Sequence, residues 1–115
     1  KIYNTIYSIA SYPSYMDKNE VDRIIWRSFD PWRNVTSFTF ERARNKKEAD
    51  IVFTFPTSST EHDCYYPFSP SDLAHAFPPD FGMVHYNWNF RWDKPGQLEK
   101  TTIHELGHVI GLVHS

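Results

Sequence analysis

Residues 101–115 read TTIHELGHVIGLVHS, so the last dozen positions of the chain hold three histidines and one glutamate. His104 and His108 are four residues apart, and a helix presents residues at that spacing on one face. Glu105 lies beside them, placed to hydrogen-bond a water on a metal held by the two imidazoles. The apolar spacing around them predicts an amphipathic helix over residues 98–110.

Gly111 is expected to end this helix, because glycine adopts the backbone conformations of a sharp turn. Such a turn could bring His114 round as a third nitrogen ligand. Three histidines leave the fourth position of a tetrahedral zinc open for water, as catalytic zinc sites require. Zinc lowers the pKa of that water, and Glu105 can accept its proton. The alternative is a helix face with unrelated histidines, but a chance match to all five fixed residues of this string is rare.

Length and composition limit the other possibilities. The chain has 115 residues, which predicts a single domain over 1–115. Its net charge is −2 with six histidines counted neutral, so there is no basic footprint for a nucleic acid. No apolar run approaches the roughly 20 residues that span a bilayer, so we expect no membrane insertion by this chain. Cys64 is the single cysteine, which excludes an internal disulfide framework.

The first half of the chain alternates between strand and helix patterns. Residues 3–9 predict a strand, and Asp17 predicts the N-cap of a long helix, with Glu20 completing a capping box. The buried stripe of this helix is predicted from apolar residues at helical spacing: Val21, Ile24, Ile25, Phe29 and Trp32. Pro31 is expected to strain or end it.

Two β-rich runs follow, at 35–41 and 51–55. From Pro56 to Gly96 only short strand-like pieces occur, at 73–77 and 83–87. A loop region of this length inside a compact domain needs something to hold it in place.

A family resemblance enters at this point. HELGHVIGLVHS (104–115) resembles the extended zinc signature of the metzincin endopeptidases, and its final HS is similar to the matrixin branch, the matrix metalloproteinases. Further segments follow in matrixin order: IYSIASYPSYM, EVDRIIWRSFDPWRNVTSFTF, ADIVFTF, PF, LAHAFPP and VHYNWNFRW. The resemblance implies an α+β fold, a twisted and mostly parallel five-stranded sheet with two long helices. It also implies an antiparallel edge strand beside the cleft, where Leu73 and Ala74 bind substrate by strand addition.

The remaining histidines, His62, His75 and His85, lie in the long loop region. In matrixins the matching positions bind a second, closed zinc through three histidines and one aspartate, and a structural metal would hold this segment. Here Cys64 stands where the aspartate belongs and Asp63 lies one position early. We favour Cys64 as the fourth ligand, because a thiolate is a good zinc ligand and residues two apart on an extended chain point the same way. Asp63 stays open as the alternative.

Two departures from the family pattern limit what is carried over. The loop that usually holds calcium is shortened to SPSD (69–72), and Asn87 and Phe90 replace expected acidic residues. Met83 replaces another, and Asp50 alone is a poor site for a cation that takes six or more oxygens, so we expect no calcium dependence. Family members also continue beyond the third histidine with a methionine turn and the wall of the main specificity pocket. We therefore expect either a piece of a longer protein or a reduced variant with weaker catalysis.

The residues and the resemblance together predict a monomeric zinc endopeptidase that cleaves extended protein substrates and that a proteinaceous inhibitor could bind. The resemblance alone implies that the protein is secreted. His104, His108 and His114 would hold the catalytic zinc, with Glu105 as general base and proton shuttle. The alternative is a non-catalytic zinc-binding module on the same fold. Glu105 argues against that alternative, because an inactive scaffold has no need of a base beside the metal.

Overall fold

The computed structural model describes residues 4–34, 37–58, 67–77 and 82–114, with side chains throughout except at Lys46 and 111–114. Its elements in chain order are β1 (Asn4–Ile9), α1 (Lys18–Ser28), α2 (Asp30–Arg33), β2 (Thr39–Arg42), β3 (Ile51–Thr54), β4 (Ala74–Phe77), β5 (Met83–Tyr86) and α3 (Gln97–His114). A short 3-10 turn, Lys46–Glu48, lies between β2 and β3.

The five strands form one mixed sheet in the order β2-β1-β3-β5-β4. β1, β2, β3 and β5 run parallel to one another, and β4 runs antiparallel to β5 at the end of the sheet. Parallel neighbours need a crossover connection, and α1 with α2 provides the one between β1 and β2. The predicted five-stranded α+β architecture with an antiparallel edge strand is confirmed.

The start and end of α1 follow from local chemistry. The Asp17 carboxylate accepts the N–H of Asn19 at 2.8 Å, so the predicted N-cap is confirmed. The predicted capping box is wrong, because this bond goes to Asn19 rather than to Glu20. Pro31 lies in the first turn of α2, where a missing N–H leaves no helical bond unmade. The first helix therefore ends at Ser28 and a separate short helix follows, in agreement with the break expected from Pro31.

An aromatic core joins α1 to the sheet. Val21, Ile25 and Phe29 are completely buried. The Phe29 ring lies 4.9 Å from that of Tyr7 and 4.5 Å from that of Phe40, measured between ring centroids. Burying aromatic rings of this size gives the largest apolar contribution per residue, so this cluster fixes α1 over β1 and β2.

α3 packs against α1 and β4 and presents its apolar stripe to the core. Leu98, Leu106 and Val109 are each at most 1% exposed and recur at helical spacing. Gly96 precedes the helix with a φ of +76°, a backbone conformation that favours glycine. Its carbonyl accepts the N–H of Lys100 at 3.0 Å, which opens the helical hydrogen-bond ladder. Neither this helix nor any other in the described segments is long and apolar enough to span a bilayer.

The end of α3 differs from the sequence-based expectation. The prediction that the helix stops at Gly111 is wrong, because the helical backbone continues through Gly111 to His114. A glycine inside a helix costs only about 1 kcal/mol relative to alanine, and the buried turn around Val109 and Ile110 outweighs that cost. A helix rises about 1.5 Å per residue, so the Cα atom of His114 lies about 9 Å beyond that of His108 along the axis.

Within the described residues, the strand predicted at 35–41 begins later than expected. β2 begins at Thr39, and residues 35 and 36 lie outside the described part of the chain. Only Phe40 of the four residues of β2 is buried, so the edge position of this strand leaves most of it in contact with solvent.

Candidate metal centre

α3 brings two histidine side chains together on its exposed face. The Nε2 atoms of His104 and His108 are 3.3 Å apart, and the two rings meet nearly edge to face. The predicted helical placement of this pair is confirmed. Both side chains are exposed, so both nitrogens are accessible to a ligand arriving from solvent.

The separation of the two nitrogens can be compared with zinc coordination. Zinc–imidazole bonds of about 2.0–2.1 Å at a tetrahedral angle place two nitrogens about 3.3–3.4 Å apart. The observed 3.3 Å matches this edge length. The same distance also permits a hydrogen bond between one protonated and one bare nitrogen, whose proton a metal ion would replace. The donor set therefore fits zinc.

Glu105 lies on the side of α3 that turns toward the core, with only 6% of the residue exposed. Burial raises the pKa of its carboxyl group, and electrostatic interaction with His104 and His108 offsets only part of that rise. A dication bound to the two histidines would act in the same direction as their charges. Glu105 is therefore a largely buried carboxyl group with a raised pKa next to the histidine pair.

A cavity of about 830 Å³ opens beside His104 and Glu105. It lies between α3 and the segment that enters β4, and its lining residues come from both sides: Ser71, Asp72, Leu73, Ala74, Pro95, Gly96, Gln97, Lys100, Thr101, His104 and Glu105. A cleft with a base and a potential metal site on one wall and a strand edge on the other is large enough for several residues of a peptide.

The hydrogen-bond pattern between β4 and β5 shows which backbone groups of β4 face outward, toward this cleft. The Leu73 carbonyl accepts the N–H of Asn87 at 2.9 Å, so it faces β5 and not the cleft. Hydrogen-bonding directions alternate along an antiparallel strand, so the backbone groups of Ala74 and Ala76 face the outer edge. Both predicted substrate residues line the cavity, but only Ala74 has backbone groups that face the outer edge. Ala76 was not predicted, because the sequence does not reveal the register.

Asn87 is a second residue that the sequence did not identify as part of the site. It is completely buried, and its amide nitrogen donates to the carbonyls of Asp72 at 2.7 Å and Ser69 at 3.4 Å. Its amide oxygen accepts the N–H of Asn89 at 3.0 Å. These bonds hold the loop that leads into β4, so Asn87 fixes one wall of the cleft through neutral hydrogen bonds.

A second pair of histidines lies across β4 and β5. His75 and His85 are direct register partners, and Nε2 of His75 lies 3.4 Å from Nδ1 of His85. His85 is 7% exposed, and the Phe68 ring stacks on His75 with centroids 4.3 Å apart. This separation again fits two nitrogens on one zinc, but here in a closed environment.

The other predicted ligands lie outside the described residues or side chains. His62, Asp63 and Cys64 belong to the first group, and the side chain of His114 to the second. Among the residues that the structure describes, no three His, Cys, Asp or Glu side chains converge as a metal cluster. Both ligand sets therefore stay predictions, and the structure shows only that each contains two histidines with adjacent ring nitrogens.

Asp50, the surviving acidic residue considered for calcium, has a structural partner. Its carboxylate accepts the backbone N–H of Ile6 at 2.9 Å and so links the start of β3 to β1. This bond gives Asp50 a role within the sheet that needs no cation. The expected independence from calcium stays a prediction.

Comparison with known proteins places this chain in a family. The matrixin family profile matches residues 1–115. Over 95% of this chain, interstitial collagenase B of Mus musculus is 39% identical, interstitial collagenase of Oryctolagus cuniculus 35% and stromelysin-2 of Rattus norvegicus 36%. The chain spans about a quarter of the length of these relatives, 24–25%. On the match of the whole chain to the family profile, the chain belongs to the matrixin family of metalloendopeptidases.

Proposed function

We propose that this chain carries the zinc centre of an endopeptidase that hydrolyses peptide bonds in extended protein substrates. The observation that carries the proposal is the 3.3 Å separation of the His104 and His108 Nε2 atoms beside the buried Glu105, at one wall of the cleft. His114 is the proposed third ligand. The relatives are named as collagenases and a stromelysin, which supports a secreted protein that acts on extracellular proteins.

The chemistry divides between the metal and the chain. When bound, zinc acidifies a water and polarises the carbonyl of the bond to be cleaved. Glu105 accepts the proton of the attacking water and then passes it to the leaving amine. Burial suits the first of these steps, because a carboxylate with a pKa above its usual value accepts a proton more readily than an exposed one.

Substrate binding is proposed to use the outer edge of β4. An extended peptide adds to the sheet through main-chain hydrogen bonds, and Ala74 and Ala76 offer the outward-facing groups. Their small side chains leave the approach to this edge open. The carbonyl to be attacked would then lie across the cavity between β4 and Glu105.

A second zinc is proposed at His75 and His85, with His62 and either Cys64 or Asp63 completing four ligands. The closed setting of the pair supports a structural role, because a structural zinc keeps no position open for water. Such an ion would tie the edge strand to its neighbour. It would also anchor the long segment between β3 and β4.

One observation favours the alternative of a non-catalytic zinc module. α3 continues as a helix to His114, so the described backbone lacks the turn that would return a third imidazole to the pair. A site with fewer protein ligands binds zinc more weakly and holds its water less well. The presence of a buried glutamate beside the pair supports the enzyme instead.

Glu105→Gln tests the proposal against a matched change on the same helix. Glu99 also lies on α3, but its carboxylate is exposed and ion-paired with Arg27 at 2.7 Å. We expect Glu105→Gln to slow cleavage of a quenched peptide by about a hundredfold or more while zinc content is kept. Glu99→Gln should leave the rate within about twofold.

The metal dependence is measured on the same samples. A zinc chelator should abolish cleavage by the parent protein, and added zinc should restore it. Cleavage that survives Glu105→Gln in zinc-loaded protein would contradict the proposed base. A zinc-loaded parent protein without any cleavage would favour the non-catalytic module.

A further inference from the structure

A buried hydrogen bond connects β5 to α3 next to the proposed base. The hydroxyl oxygens of Tyr86 and Thr102 are 2.7 Å apart, and both residues are completely buried. Hydroxyl groups that are removed from water need hydrogen-bond partners, and here each hydroxyl group is the partner of the other. The bond is therefore a built contact between the sheet and the helix that carries the histidine pair.

The Tyr86 ring is fixed from two sides. It stacks on Phe55 with centroids 4.2 Å apart and an interplanar angle of 5°, and it meets Trp92 edge to face at 5.2 Å. A ring held in this way presents its hydroxyl group at one point. Thr102 is β-branched and has few side-chain conformations in a helix, so its hydroxyl group is equally restricted. The bond therefore specifies where this turn of α3 lies relative to β5.

The turn of α3 that carries Thr102 also leads to Glu105 at the wall of the cleft. Thr102 is three residues before Glu105, so the two are neighbours on one side of α3. The apolar contacts of α3, such as those of Leu98 and Leu106, are buried but non-directional. A hydrogen bond has a preferred distance and angle, and it therefore limits rotation and sliding that apolar packing permits.

β5 also controls the opposite wall of the cleft. Side chains alternate along a strand, so His85 faces away from Tyr86 and meets His75 of β4. One strand thus holds the substrate edge through its register with β4 and holds the helix through Tyr86. The two contacts come from consecutive residues of β5.

We propose that the Tyr86–Thr102 hydrogen bond is a positioning contact that sets the gap between Glu105 and the substrate edge of β4. This inference rests on the proposed zinc site and strand addition. Neither residue touches substrate or metal. Their role is to keep the histidine pair and the base aligned with a peptide bound along Ala74 and Ala76.

The experiment compares two hydroxamates by calorimetry on zinc-loaded protein. Acetohydroxamate reaches the metal alone, whereas a peptide hydroxamate reaches the metal and also pairs with β4. Tyr86→Phe and Thr102→Val remove the hydrogen bond at nearly constant shape, and Thr102→Ser keeps it. Tyr7→Phe is the matched control, because Tyr7 is also a buried tyrosine but lies on β1 in the core around Phe29.

We expect Tyr86→Phe and Thr102→Val to weaken binding of the peptide hydroxamate by about tenfold, which corresponds to the loss of one hydrogen bond. Binding of acetohydroxamate should stay unchanged. Thr102→Ser and Tyr7→Phe should bind both compounds within about twofold of the parent. Equal weakening of both hydroxamates, or no weakening of either, would overturn the positioning role. A parent protein that binds neither compound would overturn the proposed zinc site, and the positioning role with it.

Discussion

The two histidine pairs have nearly the same nitrogen separation but opposite surroundings. His104 and His108 lie on one exposed helix face beside a buried glutamate and a cavity of about 830 Å³. His75 and His85 lie between two strands, where His85 is nearly buried and Phe68 covers His75. A catalytic zinc needs an open position and a base, whereas a structural zinc needs neither. The two proposed roles are therefore assigned from the surroundings of each pair and not from the ligand type, which is histidine in both.

Removing a histidine from the helical pair is the largest expected effect. His108→Ala should reduce peptide cleavage by about a thousandfold or more, because the metal that supplies the reactive water is lost. The side chain is exposed and carries no core packing, so the melting temperature of the metal-free protein should change little. The measurement is the cleavage rate per folded molecule together with a thermal melt. A large fall in metal-free stability would show that this pair is structural as well.

Removing a histidine from the strand pair should act on stability instead. A ligand that binds only the folded state adds about 2.7 kcal/mol to the free energy of unfolding when its concentration is about 100 times its dissociation constant. His85→Ala should lose that contribution from zinc. Unfolding of parent and variant is compared with and without free zinc. The parent should gain stability from zinc that the variant does not gain. A variant with parental stability in zinc but no cleavage would reverse the assignment of the two pairs.

Asn87 holds the loop at the wall of the cleft near the strand pair, and removing its side chain should have a smaller effect. Asn87→Ala removes the amide that bonds the Ser69 and Asp72 carbonyls and should lower the free energy of unfolding by about 2 kcal/mol. Asn89→Ala, at an exposed position two residues on, is the matched control and should stay within about 0.5 kcal/mol. Chemical denaturation with and without a calcium chelator gives both numbers. A calcium-dependent difference would contradict the expectation that neutral hydrogen bonds suffice here.

The two pairs also differ in how far sequence alone could find them. The spacing of His104 and His108 is local, because four residues make one turn of a helix, and that placement is confirmed. His75 and His85 are ten positions apart, and only the strand register brings them together. Their pairing was implied by the family resemblance and not by spacing. Ala76, Asn87 and the Tyr86–Thr102 bond escaped sequence reasoning for the same reason.

The errors have a common physical source. The helix end was placed at Gly111 on local propensity, but the packed turn before it carries the helix on to His114. The capping box was expected from residue types alone, but the carboxylate of Asp17 bonds Asn19. The predicted stripe is confirmed at Val21, Ile25 and Phe29, which repeat at helical spacing and are completely buried. Its other two members, Ile24 and Trp32, are half-buried against the same core. Periodic burial is readable from sequence, and the choice between neighbouring partners is not.

The most direct test of two sites with different roles is zinc content per chain, measured by mass spectrometry after equilibrium dialysis. The parent protein is compared with His108→Ala and His85→Ala. The account predicts two zinc ions for the parent and one for each variant, with cleavage lost only in His108→Ala and zinc-dependent stability lost only in His85→Ala. A parent that binds a single zinc, or a single substitution that removes both ions, would contradict it.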